Sequence, residues 1–199
     1  MQLYDHPARP VNPYPRDRAE LSEFRYESAL SLIRPKGSVE IRNGEDADYV
    51  LQHDFMVSVQ IDGQRRALVV PRGLITDLTS VPRPLRIFVG RVGPWLEAAI
   101  LHDYLYIAWQ DVPGRGARRA DRAFADRTML LAMTAARVGW LARMSIYLFL
   151  RAFGAGVFRR PNEKRYVDLS AAALIPARAF TLPDRRQSGT LSMPDPPQG

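Results

Sequence analysis

The sequence predicts an α+β fold, in which a small antiparallel β-hairpin or sheet is followed by a three-helix core, with an extended arm at each end. Residues 50–70 are predicted to be β, because apolar and polar residues alternate from position 51 to position 61, as in strands whose side chains point to opposite faces in turn. Helix-type apolar periodicity recurs between positions 94 and 158. Both ends are proline-rich and too polar to fold alone.

The predicted folded unit is a single domain over residues 21–160, with arms at residues 1–20 and 161–199. Its β part covers about residues 38–72 and its helical part about residues 94–158. Residues 21–32 precede the β part and are predicted to form a short helix, ended by Pro35 and Gly37.

A hairpin is the main feature of the predicted β part. Residues 51–61 alternate with period two, and Asp62-Gly63 is a dipeptide typical of the turn between two paired strands. His53 falls on the apolar face of the first strand, where a core histidine is a more common finding than a metal ligand. The loop at residues 71–84 is rich in proline and hydroxyl groups, which suits either ligand contacts or bonds to its own backbone.

The helical part is predicted to contain three helices. The first covers residues 94–109 and opens at Pro94, a residue that suits a first helical turn. The second covers residues 118–136. The third follows Gly139 and runs to Phe153, where Gly154 and Gly156 are predicted to end it. Short connections make consecutive helices antiparallel neighbours.

Composition limits the chemistry. The 199 residues include no cysteine, which excludes disulfides and thiolate sites and leaves oxygen and imidazole as metal ligands. The net charge is +7, and Lys36 and Lys164 are the only lysines, so the positive charge is almost all arginine. Arginine suits phosphate and carboxylate partners. The arginines are nevertheless spread along the chain, which argues against a nucleic-acid partner.

Neither a signal peptide nor a transmembrane segment is predicted. Residues 1–18 are polar and lack the apolar stretch of a secretory signal. The most apolar segment, residues 138–158, is interrupted by Arg143 and Arg151 and falls short of the roughly 20 apolar residues that span a bilayer. It is predicted to be a buried or interfacial helix.

The residues best suited to chemistry lie on the first two predicted helices. His102 and Tyr106 are four residues apart and share a face, whereas Asp103 projects about 100° away. Asp121, near the start of the second helix, could reach the imidazole, fix its tautomer and leave the other ring nitrogen as a base. Asp103 would then be able to hold a metal. The alternative is a His-Asp pair that only caps or bridges a neighbouring helix.

Three motifs in order resemble a small family of uncharacterised proteins found largely in tailed phages, prophages and related gene-transfer particles. They are TDLTSVPR at residues 76–83, AILHDYLY at residues 99–106 and ADRAF at residues 120–124, and the resemblance covers about residues 50–155. It implies a phage-type origin and a place in or near a virion, or in the host cytoplasm before assembly, with other phage particle proteins as partners. It implies no established activity.

The helical part also resembles the secretory and parvoviral phospholipases A₂, which carry His-Asp-x-x-Tyr on one helix and a later Asp on an antiparallel helix. By this resemblance His102 would deprotonate a water, Asp121 would orient the imidazole, and Tyr106 would hydrogen-bond Asp121. Asp103 would ligate a Ca²⁺ ion that polarises the ester carbonyl. The glycine-rich calcium loop of those enzymes is absent from this sequence, so Asp77 would have to substitute as a further ligand.

Two hypotheses from different classes follow. A virion-associated hydrolase acting on envelope lipid esters predicts an exposed His102 in a groove, beside an apolar surface. A structural protein of a phage tail or head, with arms that bind neighbouring subunits, predicts that His102, Asp103 and Asp121 form a buried polar network. A third, weaker hypothesis adds His53 to these residues as a metal-dependent phosphohydrolase site.

Overall fold

The computed structural model describes residues 2–4, 12–33, 48–77, 93–162 and 165–169, and the side chains of residues 2–4, 48, 77 and 168 are not included. It has a mixed α+β fold, as predicted. The strands are β1 Gln2–Tyr4, β2 Leu21–Tyr26, β3 Leu32–Ile33, β4 Asp48–Leu51, β5 Phe55–Ile61, β6 Gln64–Val70, β7 Ile75–Asp77 and β8 Tyr166–Asp168. The helices are α1 Leu96–Ile107, α2 Arg119–Ala135 and α3 Trp140–Arg159, with a 3₁₀ turn at Ala108–Asp111.

The strands pair antiparallel in three small sheets. Two sheets have three strands each, in the orders β2-β5-β6 and β3-β4-β7, and β1 pairs with β8. The predicted hairpin is confirmed as β5 and β6, in register from the pair Phe55–Val70 to the pair Ile61–Gln64. Asp62 and Gly63 both have positive φ angles, of 51° and 75°, as a two-residue hairpin turn requires.

Three predictions in and around the β part are wrong. The loop predicted at residues 71–84 contains strand β7, which pairs with β4. Residues 21–26 form strand β2 rather than a helix, and a bulge between Ser22 and Arg25 explains the misleading pattern. The bulge, where Glu23 has a φ of 43°, breaks the period of two, so the partly buried residues Leu21, Phe24 and Tyr26 are three and then two positions apart. His53 is exposed rather than buried, because the chain bends between β4 and β5.

The three predicted helices are present, and α3 is longer than predicted. Gly154 does not end α3 but lies inside it, buried against the side chain of Tyr106. α2 packs against both α1 and α3, and also against β2. α2 therefore lies between α1 and α3 and also contacts the sheet that contains β2.

The main core lies between the β5–β6 hairpin and α1. Its largest fully buried members are aromatic and aliphatic side chains: Leu51, Phe55, Ile61, Leu74, Ile100, Leu101, Leu105, Phe124, Phe158 and Tyr166. Tyr14 and Ala19 from the predicted N-terminal arm are buried in the same cluster, as is Tyr166 from the predicted C-terminal arm. The described parts of both arms therefore pack on the domain, because their apolar side chains fill its core.

Candidate active site

The site forms where three helices meet around one carboxylate. Nε2 of His102 on α1 lies 3.1 Å from Oδ1 of Asp126 on α2. The Tyr106 hydroxyl donates to the same oxygen at 2.7 Å, and Nη1 of Arg151 on α3 donates to Oδ2 at 3.1 Å. Asp126 is completely buried, so these three donors replace the water that it would otherwise bind.

The hydrogen bonds keep Asp126 ionised. Burial alone would raise its pKa, but the bonds from His102, Tyr106 and Arg151 outweigh burial and hold the pKa of Asp126 below its usual range. Burial, reinforced by the charge of Asp126, raises the pKa of the Tyr106 hydroxyl, which therefore stays protonated and donates. Because a carboxylate only accepts, a neutral His102 must carry its proton on Nε2 and its lone pair on Nδ1.

The tyrosine is fixed by its packing as well as by its hydrogen bond. The rings of His102 and Tyr106 lie with their centroids 4.0 Å apart. Phe158 of α3 meets the Tyr106 ring edge-on at 5.2 Å. Gly154 contacts the Tyr106 hydroxyl where any side chain would collide with it. The sequence of α3 thus helps to position a residue of the site on α1.

Asp121 is not part of this cluster. It forms a two-pronged ion pair with Arg115, whose Nε and Nη2 donate at 2.8 and 2.7 Å, and it is buried. The predictions that Asp121 contacts the imidazole and accepts a bond from Tyr106 are therefore wrong. The connection after α1 contains a 3₁₀ turn and an extended segment, so α2 begins too far from His102 for its first turn to reach the ring.

Sequence reasoning missed Asp126, although a signal was available. Asp126 lies five residues after Asp121 and is embedded among the buried α2 residues Phe124, Ala125, Thr128 and Met129. An acidic residue inside an otherwise buried segment requires partners, and a histidine on the facing helix is a natural one.

Asp103 connects the two longest sequence motifs. Its Oδ2 accepts a hydrogen bond of 2.8 Å from the hydroxyl of Thr76, which is buried in β7. The Asp77 side chain and residues 78–92 lie outside the described residues. Among the described residues no group of three or more His, Asp or Glu side chains could hold a metal. Asp103 and Thr76 alone fall short of the six to eight oxygens that Ca²⁺ requires.

One described helix, α3, is long and apolar enough to cross a membrane, judged by length and composition only. A single helix of this kind is weak evidence for a membrane span. α3 is nevertheless unusual in its exposure, because several large apolar side chains point into solvent. They are Trp140, Leu141, Leu148, Phe153 and Val157.

Comparison with known proteins gives a family but no activity. No curated protein and no solved structure matches the chain. Residues 49–150 match the model of DUF1353, a family described as proteins of unknown function. The matched segment contains Thr76, His102, Asp103 and Asp126 and covers just over half of the 199 residues. The chain belongs to the DUF1353 family.

Proposed function

We propose that this protein is a phage-type, virion-associated hydrolase of envelope lipid esters, in which His102 is the general base that activates the attacking water. The observation that carries the proposal is the ionised, buried Asp126 at Nε2 of His102. That arrangement directs the lone pair of a neutral imidazole to Nδ1, where it can accept a proton.

The reaction follows from this proton placement. Nδ1 of His102 takes a proton from a water while the water oxygen bonds to the ester carbonyl carbon. Asp126 stabilises the imidazolium that forms, and Tyr106 and Arg151 keep the carboxylate in place. The tetrahedral intermediate then expels the alcohol, which receives the proton from Nδ1. The products are a fatty acid and a lysolipid, and His102 returns to its neutral form.

The resemblance to the phospholipases A₂ supports this proposal with one reassignment. The His-Asp-x-x-Tyr motif at residues 102–106 stays as predicted, and Asp126 takes the role that the sequence had given to Asp121. Asp103 and Asp77 remain the proposed Ca²⁺ ligands. No step is assigned to Ca²⁺, because the described residues alone do not form a complete site for it.

Hydrolysis of a fluorogenic phospholipid tests the proposal, measured with added Ca²⁺ and with EDTA. His102→Asn and Asp126→Asn should each lower turnover by about 10²–10⁴-fold, the usual contribution of general-base catalysis. Asp121→Asn is the matched control, since it removes a buried carboxylate of α2 that does not touch the imidazole. Turnover equal to wild type in Asp126→Asn, with the fold intact by circular dichroism, would refute the proposed base.

The hydrolase hypothesis predicted an exposed His102, and that prediction is wrong, because the side chain is buried. This burial favours a second candidate function. The His102 side chain is 6% exposed, which is the arrangement expected of a polar network in a structural component of a phage tail or head. This alternative predicts no turnover by wild type under any condition, together with a clear loss of stability in His102→Asn. It also predicts that the protein binds other particle proteins through its terminal segments.

A further inference from the structure

A cationic cleft lies beside the candidate site, between the start of α2 and the C-terminal half of α3. Its volume is about 350 Å³, and four arginines line it together with Ala155 and Phe158. The arginines are Arg119, Arg122, Arg151 and Arg159. No carboxylate is among the described residues that line it.

Two of the four guanidinium groups are held in position. Nη1 of Arg122 donates to the main-chain oxygens of Leu150 and Arg151, at 3.2 and 3.3 Å. The Arg151 side chain pairs with Asp126, which lies buried behind the cleft. Arg119 and Arg159 are exposed. In the described part of the chain, Asp126 is the one carboxylate that offsets the charge of the four arginines, so the cleft is strongly positive. The fixed guanidinium groups of Arg122 and Arg151 suit the oxygens of a phosphate group.

The row of α3 residues that enters the cleft continues as an apolar stripe. Leu148, Arg151, Ala155 and Arg159 follow one another at helical spacings of three or four residues, so they share a face. Leu141 lies two turns before Leu148 on the same face. Leu141 and Leu148 are 73% and 59% exposed, and Trp140 beside them is also exposed. α3 contains no acidic residue.

This combination matches the chemistry of one surface. A phospholipid layer presents phosphates next to an apolar interior, and helices that lie in such a layer carry arginine beside tryptophan and leucine. The whole row, from Leu141 of the apolar stripe to Arg159 of the cleft, is roughly 27 Å long at about 1.5 Å per residue. An apolar stripe alone would fit many partners, but the arginine cleft at its end selects a partner that carries phosphate.

We propose that the cleft binds the phosphate of an anionic phospholipid while the Leu141–Leu148 stripe lies in the apolar part of the same lipid layer. This inference rests on the proposed function in its choice of lipid as the substrate class. Binding does not require turnover, however, so the two proposals can fail separately. The same phosphate chemistry could come from a soluble phosphate, and the experiment must distinguish the two sources.

Flotation with vesicles of phosphatidylglycerol and phosphatidylcholine in equal parts measures lipid binding, with EDTA present to suppress Ca²⁺ effects. Arg119→Gln/Arg159→Gln should bind about 30-fold more weakly, since each arginine at an anionic surface contributes about fivefold. Arg66→Gln/Arg72→Gln removes the same charge from exposed positions of the sheet region and should bind like wild type. An equal loss in both double variants would overturn the proposal.

The apolar stripe and the source of the phosphate are tested separately. Leu141→Gln/Leu148→Gln changes two exposed side chains, so the fold should persist while vesicle binding is lost. Titration with inorganic phosphate should reveal weak binding that this variant retains and Arg119→Gln/Arg159→Gln loses. Vesicle binding that is unaffected by Leu141→Gln/Leu148→Gln would overturn the lipid assignment. Hydrolysis without vesicle binding would leave the proposed function standing and refute this inference.

Discussion

Two glycines of α3 provide a sharp test of how the site is packed. Alanine is favoured over glycine inside a helix by about 1 kcal/mol, so helix propensity alone predicts that both Gly154→Ala and Gly156→Ala stabilise the protein. A Cβ at Gly156 would meet nothing within 4 Å, and Gly156 is exposed. A Cβ at Gly154 would collide with the Tyr106 hydroxyl and lie 3.4 Å from Cζ of the same ring.

Tyr106 cannot move away without cost. Its ring packs against His102 and Phe158, and its hydroxyl is bound to Asp126. Overpacking a core costs about 1–3 kcal/mol, and a displaced buried hydrogen bond costs about 1 kcal/mol more. After the gain in helix propensity, Gly154→Ala should lower the free energy of unfolding by about 1–3 kcal/mol. Gly156→Ala should raise it by up to about 1 kcal/mol.

Urea unfolding followed by circular dichroism measures both values, provided that the two variants unfold with the same denaturant dependence. The double variant Gly154→Ala/Tyr106→Phe is a further control, because removing the hydroxyl removes the colliding atom. Its loss of unfolding free energy should be smaller than the sum of the losses in Gly154→Ala and Tyr106→Phe. Equal stability of Gly154→Ala and Gly156→Ala would refute the described contact between α3 and Tyr106.

Three further predictions concern the polar contacts of the core. Asp126→Asn should disturb the His102 tautomer, read from the ¹⁵N shifts of the imidazole, whereas Asp121→Asn should leave those shifts unchanged. Because the folded pKa of Asp126 lies below its unfolded value of about 3.9, its stabilisation is complete above that pH and disappears as the pH falls through the folded pKa. The difference in unfolding free energy between wild type and Asp126→Asn should therefore shrink below about pH 4, and a constant difference would contradict this reasoning. Tyr14→Phe removes the bond from the Tyr14 hydroxyl to the main-chain oxygen of Leu105 and should cost about 1 kcal/mol in urea unfolding; an unchanged midpoint would contradict the described docking of residues 12–20.

The sequence predicted those elements whose signals are local. Alternation and Asp62-Gly63 predicted the β5–β6 hairpin and its turn, because the turn dipeptide and the strand pattern agree. Apolar periodicity gave the three helices, because each presents a long face to the core. β2 was mistaken for a helix because its bulge changes the spacing of the inward residues.

The candidate site was predicted in part, for a physical reason. His102, Asp103 and Tyr106 lie on one helix, so their relative placement follows from helical geometry. The apolar neighbours of Asp126 indicate a buried carboxylate, but which α2 carboxylate reaches His102 depends on how far the α1–α2 connection displaces the second helix. The role of Gly154 was missed for a similar reason, since its contact with Tyr106 joins residues 48 positions apart.

The pairing of β1 with β8 has a consequence for how the chain folds and can be rearranged. Gln2 lies opposite Asp168, so β1 pairs with a strand more than 160 residues later in the chain. This closure is among the most non-local contacts of the fold and should form late, after the hairpin and helices. It also places the first and the last described strands side by side. A circular permutant that joins them and opens the chain elsewhere should therefore be able to keep the same core.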